Sequence, residues 1–326
     1  MKLLVALILI ATLVQDKKKQ AKPEKSPRDT ITAAELASHL QKLCTAFQGR
    51  KSGTDGERAT AQYVADLFKK YGLAPVGADK GYLQSFPAKN QYVNGTGTNC
   101  LAILEGSDAN LKNEIILVGA HHDAVGGSGA DDNGSGTASV LELAQAFGTS
   151  KEKPKRTLMF CTWGCEEAWM VGSYHWAANP TIDTSRIKFN VNIDMMGRND
   201  YAEKEITISG AESSNPPLND TINKHAKNAG IKVILEDSMI SPPGDCMPFY
   251  EKINVPFLYF YSHGYGKIHA DYHKPTDSPD KIDTQAMEKI TRLAYDLILE
   301  LANADSIGSK VPGYRFPHPA QGKPRK

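Results

Sequence analysis

In EIILVGAHHDAVGGSGADDNGSG, residues 114–136, a nearly continuous apolar run stops at His-His-Asp and passes into a loop of small and acidic residues. The run has the length and continuity of a strand buried on both faces. A surface turn accounts for Gly and Asp, but not for a hydrophobic segment that terminates in His121, His122 and Asp123. TASVLELAQAFG, residues 137–148, reads as a helix, so the unit is strand, glycine-rich loop, helix.

On the amino-terminal side, Ile31, Leu36, Leu40 and Leu43 predict a helix over 31–47, with Thr30 as its cap. RKSGTDG interrupts the pattern. Tyr63, Val64, Leu67 and Phe68 then predict a second helix over 58–72 that stops at Gly72. NCLAILEG at 99–106, RTLMFCTWG at 156–164 and IKFNVNIDMMG at 187–197 read as strands, with EEAWMVGSYHWAAN at 166–179 as a helix between the last two. The alternation continues through strands at 205–210, 231–236 and 255–262 and helices at 216–230 and 286–304. It predicts an α/β fold: a three-layer α/β/α sandwich with a mixed, mostly parallel central sheet.

A chain of 326 residues, 40% hydrophobic, can build one large core, and a single folded domain is expected over 30–306. The net charge of +1 gives no electrostatic argument for nucleic-acid or membrane binding, and neither partner is expected. The leader MKLLVALILIATLVQ, residues 1–15, carries an apolar or small run at 3–14 that is short for a membrane span and suited to an export signal. It lacks a small-x-small cleavage site, so retention as an anchor stays open. A periplasmic or extracellular protein is expected, with a polar linker at 16–29 and a Pro-rich, basic tail at 307–326. Cys44, Cys100, Cys161, Cys165 and Cys246 are too scattered for a disulfide scaffold. One disulfide is compatible with export, and the odd count leaves at least one thiol over.

His121, Asp131, Glu166, Glu167 and Asp194 all fall just beyond the carboxyl ends of predicted strands, where polar groups from distant segments converge above an open sheet. Any single acid there can be a helix cap or a hydrated loop residue. Recurrence at successive strand ends argues instead for one site. Imidazole nitrogen with carboxylate oxygen is the mixed donor set of hydrolytic zinc sites, in which one carboxylate can bridge two ions and another can take a proton from water. GADDNGSG lacks the GK[ST] ending of a phosphate-binding loop, its acids repel phosphate, and it fails the GxGxxG pattern. VGSYHW is no GxSxG nucleophile elbow, which leaves Ser173 to packing. Cys165 has no acid–base partner in the surrounding sequence and reads as a wall or core residue.

GAHHDAVGGSGADDNGSG (119–136), TWGCEEAWMVGS (162–173), NIDMMG (192–197) and DYHKPTD (271–277) together resemble the co-catalytic dizinc aminopeptidase family. That family's relatives include bacterial leucyl aminopeptidases, plasma glutamate carboxypeptidase and single-zinc glutaminyl cyclases. GRKSGTDGERATAQYVADLFKKYGL (49–73) is similar to the family's amino-terminal helical region. The resemblance implies a zinc-exopeptidase fold of the phosphorylase/hydrolase-like kind and two zinc ions per chain. It makes His121 a ligand of one zinc, completed by Asp194, makes Asp131 the bridging ligand, and gives Glu167 and His273 to the other zinc. Residue pattern alone leaves His263, His269 and His273 as alternatives for the last ligand. Asp123 is expected behind His121, orienting its ring, and Asp132 as support for the bridging loop. Glu166 is implied as general base, taking a proton from a metal-bridging water that attacks the peptide carbonyl.

The same resemblance implies release of the first residue from peptides with a free N-terminus. Asp245, Cys246, Met247 and Phe249 of GDCMPFY are candidates for the substrate pocket, although Gly244 replaces the family's usual small hydroxyl residue and core packing competes for Met247. Alternatives are a glutaminyl-peptide cyclotransferase, a carboxypeptidase or dipeptidase, and a noncatalytic metal-binding module. The first lacks support in the compact TWGCEEAWMVGS motif, and the last is disfavoured by Glu166 standing beside an apparent ligand set.

Overall fold

The computed structural model describes residues 26–47, 49–198, 205–236, 244–262 and 268–312. Helices α1 (Ala33–Ala46) and α2 (Asp55–Lys70) precede strands β1 (Ala74–Pro75), β2 (Leu83–Lys89), β3 (Asn94–Leu104) and β4 (Ile115–His121). Then come α3 (Gly136–Gly148), β5 (Thr157–Trp163), α4 (Val171–Ala178), β6 (Ile187–Ile193), β7 (Glu205–Ser209), β8 (Ser214–Asn215), α5 (Asn219–Ala229) and β9 (Lys232–Glu236). The single turn α6 (Cys246–Pro248), β10 (Phe257–Tyr261), α7 (Thr284–Asn303) and β11 (Ser309–Lys310) complete the described chain.

The main sheet runs β1-β3-β5-β4-β6-β10-β7-β9, with β2 also on β3, and β8 pairs β11 separately. Its centre, β5-β4-β6-β10, is parallel. The flanks are mixed: β1, β2 and β5 meet β3 antiparallel, and β10 meets β7 antiparallel, while β7 and β9 are parallel. This is the expected α/β/α sandwich, with parallel pairing concentrated where both faces are covered.

Every residue of β4 is buried. Ile116, Val118 and Ala120 enter the larger core with the apolar faces of α1, α2, α3, α5 and α7. Ile115 and Leu117 point the other way, into a second core with Trp163, Trp176 and Phe249. The period-two alternation of a strand thus explains why this run is apolar at every position. No described helix is long and apolar enough to cross a membrane.

Several expectations needed correction. Thr32, rather than Thr30, caps α1, its hydroxyl accepting from Glu35 N. The helix expected over 166–179 begins only at Val171, because Cys165, Trp169 and Met170 hold φ of 58°, 74° and 54°, which no right-handed helix accommodates. β2 was not foreseen. It contains Pro87, which a strand paired only with β3 tolerates. Of the expected tail, residues 307–312 return to the body: Ile307 is buried, Gly308 turns at φ 81°, and β11 pairs β8. At the other end, Pro27–Thr30 forms a helical turn inside the expected linker, and Arg28 Nε lies 2.9 Å from Asp296 of α7. The expected leader, residues 1–15, lies outside the described residues, as do 16–25 and 313–326. All five cysteines are unpaired.

The second core is the smaller and is carried by few side chains. Trp176→Ala, which removes the ring packed on both Trp163 and Phe249, is expected to destabilise the fold by about 3–5 kcal/mol. Equilibrium urea unfolding measures this, and a loss below about 1 kcal/mol would mean the site collapses without leaving a cavity.

Candidate metal centre

Most of the loop between β4 and α3, residues 122–124 and 129–135, is buried, so its backbone groups and charges need partners inside the protein. Arg50 supplies several. Its guanidinium, itself buried, donates to the carbonyls of His122 (2.8 Å), Leu43 (3.1 Å), Ser128 (2.6 Å) and Gly129 (3.0 Å). Asp277 holds the next segment. Its carboxylate accepts from Asp131 N at 3.0 Å and Asp132 N at 3.1 Å. Burial, with the neighbouring Asp131 charge, pushes Asp277 up to about 6. Asn133 ties the loop to the end of β6, donating to Ile193 O and accepting from Met195 N.

Held in this way, the loop aims Asp132 between two histidines. Asp132 Oδ1 lies 3.2 Å from His121 Nε2 and Oδ2 lies 3.1 Å from His273 Nε2. His121 Nε2 is also 3.5 Å from Asp194 Oδ1, and His273 Nε2 is 2.9 Å from Glu167 Oε2. The result is two groups, His121–Asp132–Asp194 and Asp132–Glu167–His273, that share one carboxylate. Glu166 belongs to neither, with Oε2 3.8 Å from His121 Nε2.

The expected bridging residue is corrected here. Asp131 turns away, its Oδ1 accepting from Gly197 N (2.7 Å) and Ser135 Oγ (3.2 Å), and its Oδ2 lies 3.2 Å from His269 Nε2. Asp132, expected only as support, occupies the shared position. Of the three histidines the pattern left open, His273 stands in the second group, His269 sits beside Asp131, and His263 lies outside the described residues.

Asp123 sits behind His121. His121 Nδ1 lies 3.2 Å from the Asp123 carbonyl and 3.5 Å from Oδ1, so Nδ1 carries a proton toward Asp123 and Nε2 is the nitrogen that faces Asp132 and Asp194. The same carboxylate accepts from Ser52 Oγ (2.6 Å), Glu166 N (3.0 Å) and Glu167 N (3.2 Å). Asp194 Oδ2 accepts from Tyr259 OH at 3.0 Å, leaving Oδ1 for the centre.

The electrostatics call for cations. Burial drives Glu166 well above the usual carboxylate range, reinforced by Asp245, Glu167 and Asp194 against the pull of His121. Burial and the Asp132 charge push Glu167 up to about 7, and burial raises Asp194. Burial alone would lower His121 and His273. The facing carboxylates outweigh it, raising His121 well above its ordinary range and His273 to about 9. Asp132 Oδ2, Asp194 Oδ1, Glu167 Oε1 and His273 Nε2 make no hydrogen bond among the described residues. Buried acids in excess, with orphaned donor atoms converging, fit two divalent ions of the zinc type.

The substrate-pocket expectation is corrected in part. Phe249 packs against Trp163 and Trp176, and Cys246 lies among Tyr250, Phe257, Tyr259 and Tyr261, so both are core residues. Met247 is buried. Asp245 is buried and accepts from Ser173 Oγ, and burial pushes it up to about 7. The cavity beside the centre, about 210 Å³, is lined instead by Tyr92, Val125, Glu166, Glu167, Trp169, Met170 and His273.

Fold and site together define an α/β/α protein of the zinc-exopeptidase kind, with a paired-metal centre at the carboxyl edge of its parallel strands. The chain belongs to peptidase family M28, whose sequence model matches residues 99–298. Leupeptin-inactivating enzyme 1 of Streptomyces exfoliatus is 34% identical over 173 residues, 51% of this chain and 36% of that enzyme. The match therefore spans little more than a third of that relative's length. Among solved structures, the zinc aminopeptidase BSAP of Bacillus subtilis has a TM-score of 0.69 at 17% identity, over 90% of this chain and 100% of that one. Porphyromonas gingivalis glutaminyl cyclase has a TM-score of 0.68 at 18% identity, over 82% and 98%. At these identities the likeness concerns the fold.

Asp277 and Arg50 were missed by sequence reasoning. The closing Asp of DYHKPTD was visible as part of a motif, whereas nothing local marks Arg50. Asp277→Asn replaces one oxygen by an amide that cannot accept from the loop, so zinc affinity is expected to fall roughly 10–100-fold while the fold persists. Competition with a zinc chelator, alongside circular dichroism, reads both; unchanged affinity would mean the loop holds Asp132 without Asp277.

Proposed function

We propose that this protein is a zinc-dependent exopeptidase, an aminopeptidase that releases the first residue from peptides with a free N-terminus. The observation that carries the reading is Asp132, whose two oxygens face His121 and His273 at 3.2 and 3.1 Å with Glu166 alongside. His121, Asp132 and Asp194 would hold one zinc, and Asp132, Glu167 and His273 the other. Bound there, the ions supply Lewis acidity that eases deprotonation of water and polarises the substrate carbonyl.

The remaining work falls to the chain's own groups. Glu166 accepts a proton as the water oxygen bonds to the peptide carbonyl carbon, then delivers it to the departing nitrogen as the C–N bond breaks. Asp123 keeps His121 in the tautomer that ligates and fixes the backbone of Glu166 and Glu167, so base and ligand stay in register. The presence of the His121–Asp132–Asp194 group beside Asp132–Glu167–His273 favours two-ion hydrolysis over the single-zinc cyclisation of glutaminyl peptides. The apolar run at residues 3–14 supports an exported setting.

With zinc restored after chelation, two ions per chain and release of the first residue from unblocked peptides are expected, with N-acylated peptides left intact. Glu166→Gln should lower kcat roughly 10²–10⁴-fold with both ions retained, whereas Asp132→Asn should lose metal. Cyclisation of N-terminal glutamine peptides without hydrolysis, or cleavage of blocked peptides from the carboxyl end, would replace the aminopeptidase reading.

A further inference from the structure

The cavity beside Glu166, Glu167 and His273 has a second, apolar side made by Tyr92, Trp169, Met170 and Val125. At about 210 Å³ it is smaller than the ~300–1,000 Å³ of drug-sized sites and holds a single side chain. Two features mark its aromatic part. Trp169 carries a φ of 74°, a left-handed conformation that is an outlier for so bulky a residue. Such conformations persist where surrounding structure over-determines them, and they cluster at ligand contacts. Tyr92, across from it, is 44% exposed, the most open large hydrophobic among the described residues.

Asn90 joins the two. Its side-chain carbonyl accepts from Tyr92 N (2.7 Å) and Val93 N (3.1 Å), shaping the tip of the β2–β3 hairpin. Its amide donates to Ala168 O at 2.7 Å, one residue before Trp169. The rings stand 6.2 Å apart at 48°, a tilted pair whose faces are not stacked shut on each other. A third ring can meet such a pair edge to face, which a saturated side chain of equal size cannot do.

Resting on the exopeptidase reading, we propose that Tyr92 and Trp169 form an aromatic wall that selects substrates with a planar ring on a residue flanking the scissile bond. Glu166 lines the same cavity, which puts the wall within a side chain's reach of the reacting carbonyl. The pair determines specificity and takes no part in proton transfer.

The test compares kcat/KM of the zinc-loaded full chain on Phe-Ala against cyclohexylalanyl-Ala, and on Ala-Phe against Ala-cyclohexylalanine. A preference for the planar ring of about 3–10-fold is expected in one arm, which identifies the side of the bond that enters the cavity. Trp169→Gly and Tyr92→Ala should each erase it. Glycine adopts the left-handed φ without strain, so a melting point measured alongside confirms that the Trp169→Gly variant is folded. Asn90→Ala should weaken the preference with both rings intact. No ring preference in either arm, or one that survives both ring substitutions, overturns the proposal while leaving hydrolysis standing. If the wild type cleaves none of the four peptides, the exopeptidase reading fails separately. Calorimetric binding of phenylalaninamide against cyclohexylalaninamide then decides the wall, equal affinities overturning it.

Discussion

Asp132 presents Oδ1 to His121 and Oδ2 to His273, and a carboxylate can face two partners in this way only if its backbone cannot turn. The protein secures that with two buried charges of opposite sign. Arg50 gathers the carbonyls of the loop, and Asp277 gathers its N–H groups. Neither requires the other as a salt-bridge partner, because each is satisfied by backbone dipoles. Hydrogen bonds to a charged group contribute roughly 1.5–3 kcal/mol each, which offsets the desolvation that burying an isolated guanidinium or carboxylate would otherwise cost.

The sheet sets where this loop must be. β4 is the middle of the parallel core, so the chain leaving it at His121 emerges between the ends of β5 and β6. Glu166 and Glu167 follow β5 by a few residues and Asp194 follows β6 directly. The loop then has to pass close to β6 to reach α3. At Gly136 a Cβ would meet Ile193 O at 2.5 Å and collide with Asn133 Oδ1, so only glycine lets the backbone through. Small residues in this stretch follow from close approach as much as from access to the centre.

What could be seen in advance follows a physical division. Strand and helix alternation is written in side-chain periodicity, and polar residues at strand ends stand out against apolar runs, so the sandwich and the neighbourhood of the site were legible. The choice between Asp131 and Asp132 was not. Adjacent identical residues in an irregular loop carry no period, and which one faces inward is set by Asp277, well over a hundred residues away. Phe249 failed for the opposite reason. GDCMPFY has the composition of a pocket wall, but aromatic residues serve a core equally well, and Trp163 and Trp176 claim this one. Arg50 follows a Gly in a turn-forming segment, where a lone arginine has no local mark of burial.

The turn from Cys165 to Met170 carries the left-handed residues that delay the expected helix to Val171. A buried stretch outside regular helix must find partners for its N–H groups elsewhere. Here the N–H groups of Glu166 and Glu167 are both given to Asp123, the carboxylate that also backs His121. That arrangement keeps two adjacent acids at the centre, one against His121 and the other against His273. Left-handed backbone at Cys165, Trp169 and Met170 costs on the order of 1–3 kcal/mol per residue. Contacts across the fold oppose that cost: Cys165 Sγ donates to Glu57 at 3.2 Å, Ala168 O accepts from Asn90, and α4 resumes regular helix at Val171 with Ser173 bonded to Asp245. The strained residues therefore flank the pair of acids that Asp123 holds by their backbone, and the strain lies beside the same centre as Asp132.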